Sequence, residues 1–200
     1  MPPEAMMPHD AAAPPSPWIS RFAPLIPARG PVLDLAAGAG RHARWLLLHG
    51  HPVTAVDRDT GGLADLADRP GATILQADLE AGDWPLAGRR FAGVVVANYL
   101  YRPILPAILA AVAPGGVLIY ETFGTGNAAF GRPRNPAFLL RPGELLAQAT
   151  AGGLQVVAYE QGIDAAGPVV RQRLCAVRSG DAQPLYSAAS ASRPAGTGAL

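Results

Sequence analysis

The sequence predicts an α/β protein built on a doubly wound, mainly parallel sheet. Three observations carry that expectation. Short apolar runs alternate with segments of helical length. The runs are continuous rather than alternating, as in strands buried on both faces. A glycine-rich turn, "VLDLAAGAGRHA" at 32–43, closes the first run and opens a helix-length stretch.

The elements follow in order. "PWISRFAPLI" reads as a short helix on the domain edge. "PVLDLA" is the first strand, and "RHARWLLLHG" is a helix ending at Gly50, a residue suited to a helix C-terminus. "HPVTAVD" is the second strand. "TGGLADLAD" opens on a capping threonine and reads as a short helix. "GATILQAD" is the third strand, "DWPLAGRR" a turn or short helix, and "FAGVVVAN" the fourth strand. "RPILPAILAAVAPGG" reads as a helix with an internal proline and a Pro-Gly-Gly stop, before the fifth strand "GVLIYETF". Residues 123–140 carry no period, and a connection that long is often functional. "GELLAQATAGG" is a helix closed by two glycines. "LQVVAYEQGI" and "GPVVRQRLCAVR" are two strands so close in sequence that they form a hairpin, which makes one strand antiparallel.

Composition narrows the function classes. The 200 residues suit one domain, expected over 16–180, with a disordered lead at 1–15 and a flexible tail at 181–200. A net charge of +1 lacks the basic footprint of a nucleic-acid binder. No apolar run reaches the ~18 residues of a membrane span, and the opening residues do not read as a secretory signal. One cysteine, Cys175, permits no disulfide within the chain, fits a cytoplasmic setting and reads as a buried structural thiol. All 16 basic residues are arginine, which excludes Schiff-base chemistry and a phosphate-loop lysine. His42, His49 and His51 suggest no metal site; the last two fall where a helix ends, at the edge away from the glycine turn.

The turn points to a nucleotide. Gly38, Gly40 and Ala43 have G-x-G-x-x-G/A spacing, and Asp57 follows Gly38 by 19 residues at the end of the second strand, where a ribose-binding acid belongs. That pattern fits hydride and methyl chemistry alike. Asp34, inside the first strand, does not suit an anionic pyrophosphate; it suits the methionine ammonium of S-adenosylmethionine (SAM). Asp78 ends the third strand, at the carboxyl edge where ligands bind, and can accept from an adenine amino group. Each acid also has a purely structural reading: Asp34 as a core acid bonded to backbone, Asp57 and Asp78 as turn caps.

In this order, "VLDLAAGAGRHA", "VTAVDRD", "ILQADLE" and "FAGVVVANYLYRP" resemble the successive motifs of class I SAM-dependent methyltransferases. "LAAVAPGGVLIYETF" is similar to that family's late segment, and the resemblance covers about 30–178. A weaker resemblance is to small bacterial methyltransferases of the tellurite-resistance type. The resemblance implies a seven-stranded sheet in the order 3-2-1-4-5-7-6 with strand 7 antiparallel. It implies SAM as cofactor, with Asp34, Gly38 and Gly40 at its methionine part, Asp57 at the ribose, Asp78 and the backbone of Leu79 at the adenine, Asn98 near the methyl, and Arg58 also among the cofactor-binding positions. "NYLYRP" lacks the Pro-Pro of enzymes that methylate exocyclic amino groups, so such targets are discounted.

The substrate side is read from position. Tyr99 and Tyr101 sit past the fourth strand, and with Glu121 they are the nearest groups for acid–base work. Arg132 and Arg134 in the long loop, with Arg171 and Arg173 at the start of the last strand, would suit an anionic acceptor. The loop itself reads as a lid pivoting on Gly124, Gly126 and Gly131. The leading expectation is methyl transfer to a small, possibly anionic, metabolite or toxic compound. An NAD(P)-dependent oxidoreductase and a non-catalytic SAM-binding regulator are the other readings, and the oligomeric state is not legible.

Overall fold

The computed structural model describes residues 13–164 and 167–179. Most of the expected disordered lead and flexible tail therefore lies outside the described residues. Seven strands form one sheet: β1 (Val32–Leu35), β2 (Val53–Asp57), β3 (Ala72–Gln76), β4 (Phe91–Ala97), β5 (Val112–Phe123), β6 (Gln155–Ile163) and β7 (Val170–Val177). Their order is β3-β2-β1-β4-β5-β7-β6, as the sequence led us to expect. β1 pairs in parallel with β2 and β4, whereas β7 runs antiparallel to both β5 and β6.

Apolar side chains on successive strand residues point to opposite faces, so each face of the sheet has its own core. One layer joins Leu33, Leu35, Val94, Val96, Leu118 and Tyr120 to α3 (Leu105–Ala110) and α4 (Glu144–Ala151). The other joins Val32, Val53, Val95, Ile119 and Cys175 to α1 (Pro17–Phe22) and α2 (Arg41–Leu48). Each fully buried Leu or Ile contributes roughly 1.5–3 kcal/mol. Cys175 is wholly buried, and burial pushes its thiol up to about 12, as suits a structural rather than a nucleophilic group.

Three local expectations change. Gly61–Leu66 is a 3₁₀ helix, and Thr60 does not cap it with its side chain. Two adjacent glycines disfavour the α-helix, and a Cβ on Gly62 would lie 2.9 Å from the Ala39 Cα, so this segment is shaped by close packing on the glycine turn. Pro106 does not interrupt its helix: a 3₁₀ turn at Arg102–Ile104 comes first, leaving the proline in the first turn of α3. Pro114-Gly115-Gly116 does not stop that helix either. α3 has already ended at Ala110, and the three residues form a bulge in β5, where Phe91 faces Val112 but Gly93 faces Val117. "DWPLAGRR" holds turns only.

Candidate functional site

The carboxyl ends of β1, β2, β3 and β4 converge on the glycine turn. Ala36, Gly38 and Gly40 all take positive φ (53°, 56° and 78°), so the chain reverses tightly and delivers α2 pointing away from the edge. A Cβ on Gly40 would lie 2.4 Å from Leu63 Cδ2, so this glycine is needed for packing against the following 3₁₀ helix as well as for its φ.

Asp57 is tied into the turn. Gly38 N–H donates to its Oδ2 at 2.7 Å and Asp59 N–H to its Oδ1 at 3.0 Å. The acid thus fixes the turn from the end of β2, a structural task that the sequence allowed for. A carboxylate has roughly four lone-pair sites, so it retains capacity for ribose hydroxyls. Asp78 is exposed and accepts from Glu80 N–H at 2.9 Å, and Leu79 is buried behind it. Arg58 is exposed, and its carbonyl accepts from Gln76 Nε2 at 3.1 Å.

Asp34 is the outlier. Only 1% of it is exposed, and its Oδ2 has no hydrogen-bond partner among the described residues. Burial raises its pKa to about 7, although the Ala43 backbone N–H and the nearby Arg41 charge act in the opposite direction. A buried carboxylate with an open oxygen is costly by itself and is relieved by a cation. His42, in the first turn of α2, is buried, its Nε2 accepting from Ser16 N–H at 3.2 Å. Burial, with Arg41 beside it, pulls His42 down to about 3, so the ring is neutral. His49 and His51 lie apart from this edge, each ring held by a backbone carbonyl, of Trp45 and of Gly30.

Asn98 follows β4 in a left-handed conformation, φ 56°. Its N–H donates to Glu121 O at 2.9 Å, and its Oδ1 accepts from Arg171 Nη1 at 2.6 Å. Arg171 stacks over Phe123 with 4.6 Å from Cζ to the ring centroid, and its nearest carboxylate, Asp164, is 3.8 Å away. Burial pulls its guanidinium below the usual range.

Arg173 differs from the expectation of a free anion anchor. Glu121 lies 3.2 Å from it, Glu160 3.5 Å, and Asp164 Oδ2 accepts directly from its Nη2. Burial opposes its charge, but Asp164 and Glu121 together raise its pKa above the usual value. Glu121, expected as a possible base, is therefore held as the partner of a cation, with its side chain buried.

Arg132 and Arg134 are exposed in the long loop. The loop is also more firmly held than a free lid. Gly124 bridges to Leu140, and buried Asn127 accepts from Val170 N–H and donates to Pro133 O. Arg102, which the sequence did not single out, donates to Ala137 O, Leu139 O and both oxygens of Glu144. The Arg102 hydrogen bonds draw Glu144 down to about 2 against the effect of burial. No local signal marks this clamp, because its members are 35 to 42 residues apart.

No protein-family model and no curated protein matches the sequence. Solved structures do resemble it. A 1,6-didemethyltoxoflavin-N1-methyltransferase from Burkholderia thailandensis, solved with 1,6-didemethyltoxoflavin and S-adenosylhomocysteine, superposes with a TM-score of 0.61 at 22% identity, over 81% of this chain and 76% of that one. TehB from Haemophilus influenzae gives 0.61 at 19% identity, over 80% of this chain and 61% of that one. The glycopeptide N-methyltransferase MtfA with S-adenosylhomocysteine gives 0.56 at 24% identity, over 83% and 90% of the two chains. At these identities the likeness establishes the fold.

Proposed function

We propose that this protein is a SAM-dependent methyltransferase acting on a small molecule. The observation that carries the reading is Asp34, a buried carboxylate with one unpartnered oxygen beside the glycine turn. Its chemistry fits the ammonium of SAM's methionine part. It opposes a dinucleotide, whose pyrophosphate would bring negative charge to a buried anion. The solved methyltransferases of the same fold, two of them holding S-adenosylhomocysteine, support the same cofactor.

The chain's own residues supply position. Asp34 holds the cationic end and the Gly38–Gly40 turn lets the backbone approach. Asp57 offers its remaining lone pairs to the ribose, and Asp78 faces the adenine side with Arg58 and Leu79 alongside. When bound, SAM supplies an activated methyl for in-line displacement by an acceptor lone pair. Asn98, at the end of β4, stands next to that path and is locked by its left-handed backbone and by Arg171. Holding the reactants in line at about 3–3.5 Å is the main contribution this architecture makes to rate. Glu121 is engaged by Arg173, and burial keeps the Tyr99 phenol protonated, so neither is poised as a base in this arrangement. The geometry thus favours an acceptor that arrives with its lone pair available.

An anionic acceptor is best supported by Arg171 of the four arginines: its cation is half-buried, with one amide partner and a carboxylate at 3.8 Å. Arg173 is matched by three carboxylates, and Arg132 and Arg134 remain candidates for the outer rim. Titration calorimetry with S-adenosylhomocysteine and with NAD tests the cofactor; binding of NAD alone would overturn the reading. Label transfer from SAM to a small-metabolite pool then separates an enzyme from a regulatory SAM-binding protein.

A further inference from the structure

We infer that Tyr99 binds the nucleoside half of the cofactor through its hydroxyl, an assignment that rests on the methyltransferase reading. Tyr99 lies two residues past β4, where the left-handed Asn98 redirects the chain. Its backbone is fixed, because its carbonyl accepts from the Tyr120 hydroxyl at 2.9 Å. Its ring packs on the same core layer as Ala36, Ala77 and Tyr101, at the sheet edge where the candidate cofactor acids end their strands.

The hydroxyl is buried and has no hydrogen-bond partner among the described residues. Such an atom in a native protein calls for a reason. Phenylalanine would fill nearly the same volume without it. Burial first, then the charges of Glu80 and Asp78, with Asp57 also contributing, hold the phenol far above its ordinary range, so it stays protonated and can donate. None of those carboxylates is within hydrogen-bonding reach of it.

The edge thus presents carboxylate acceptors at the ends of β2 and β3 and one protonated phenol among them. Adenosine has the complementary set: donors on its ribose hydroxyls and exocyclic amino group, acceptors on its ring nitrogens and ribose oxygens. A nucleoside spanning Asp57 and Asp78 passes Tyr99 with an acceptor to offer. The hydroxyl is therefore satisfied only in the liganded protein, and Tyr99 is assigned to the cofactor rather than to the acceptor substrate.

The test is Tyr99→Phe, studied by thermal unfolding and by calorimetry with two probes, S-adenosylhomocysteine and 5′-methylthioadenosine. The expected variant melts at a higher temperature without ligand, since a buried unpartnered hydroxyl is gone. It binds both probes about 3- to 10-fold more weakly, the loss of one hydrogen bond. Unchanged affinity for both probes overturns the assignment. Weakening for S-adenosylhomocysteine alone also overturns it, because the hydroxyl would then meet the methionine end. A wild-type protein that binds neither probe overturns the methyltransferase reading, and this assignment with it; wild-type binding with an indifferent variant overturns this assignment alone.

Discussion

Replacing Asp34 with asparagine should make the ligand-free protein more stable at alkaline pH while removing its grip on the cofactor. The folded-state pKa is about 7 against 3.8 for a free aspartate. The folded protein therefore binds more protons than the unfolded chain between those values. The Asp34 contribution to stability falls as pH rises through that window, and its penalty is complete above about 7. Three pKa units correspond to about 4 kcal/mol, a ceiling that relaxation around the buried charge reduces; we expect about 2–4 kcal/mol. Asparagine keeps the oxygen that takes the Ala43 N–H and removes the charge. The assay is urea denaturation of both proteins from pH 4 to pH 8.5. Their difference should be small near pH 4 and reach its plateau above pH 7, a midpoint shift of about 1 M or more for a typical urea slope. Calorimetry should show S-adenosylhomocysteine bound about 10- to 100-fold more weakly, as for loss of a hydrogen bond to a charged group. A variant with no stability gain at pH 8 and wild-type affinity would refute both the burial argument and the placement of the ammonium.

Three further outcomes are expected. Asp57→Ala should lose about 1–3 kcal/mol of stability along with cofactor affinity, because Gly38 N–H loses its acceptor; chemical denaturation with calorimetry checks both, and intact stability would show that the turn holds itself. His42 is neutral in the fold, with a pKa near 3 against 6.5, so its own contribution to stability should fall as pH drops from 6.5 toward 3, opposite in sign to that of Asp34, and the stability difference between His42→Leu and wild type should grow across that range in acid titrations followed by circular dichroism. Arg102→Ala should free Glu144 and the 137–139 carbonyls, raising hydrogen exchange across 123–140 by roughly 10-fold or more, the loss of a charge-assisted clamp; exchange equal to wild type would show that Asn127 alone holds the loop.

What the sequence determined by itself was whatever repeats at short range. Continuous apolar runs separated by helical lengths set the seven strands, and "VLDLAAGAGRHA" set the turn, since glycine most readily takes the positive φ that Gly38 and Gly40 adopt. Asp34, Asp57 and Asp78 were legible because a strand's end is read from the same run that makes the strand. Tertiary structure decided the partnerships. Arg171 and Arg173 both looked available to an anion, but the β5–β7–β6 register puts Glu121 and Glu160 opposite Arg173 and leaves Arg171 on Asn98 and Phe123. The long loop reads as a lid in sequence; only the fold shows Arg102, from the segment after β4, bonded to its 137 and 139 carbonyls. Asp34 and Tyr99 look like ordinary polar residues in sequence; only the fold shows that each keeps a buried oxygen without a partner among the described residues. The physical reason is common to all of these. Backbone conformation follows from neighbours a few residues away, whereas the charge and hydrogen-bond state of a side chain follow from groups that strand register and layer packing bring from tens of residues away.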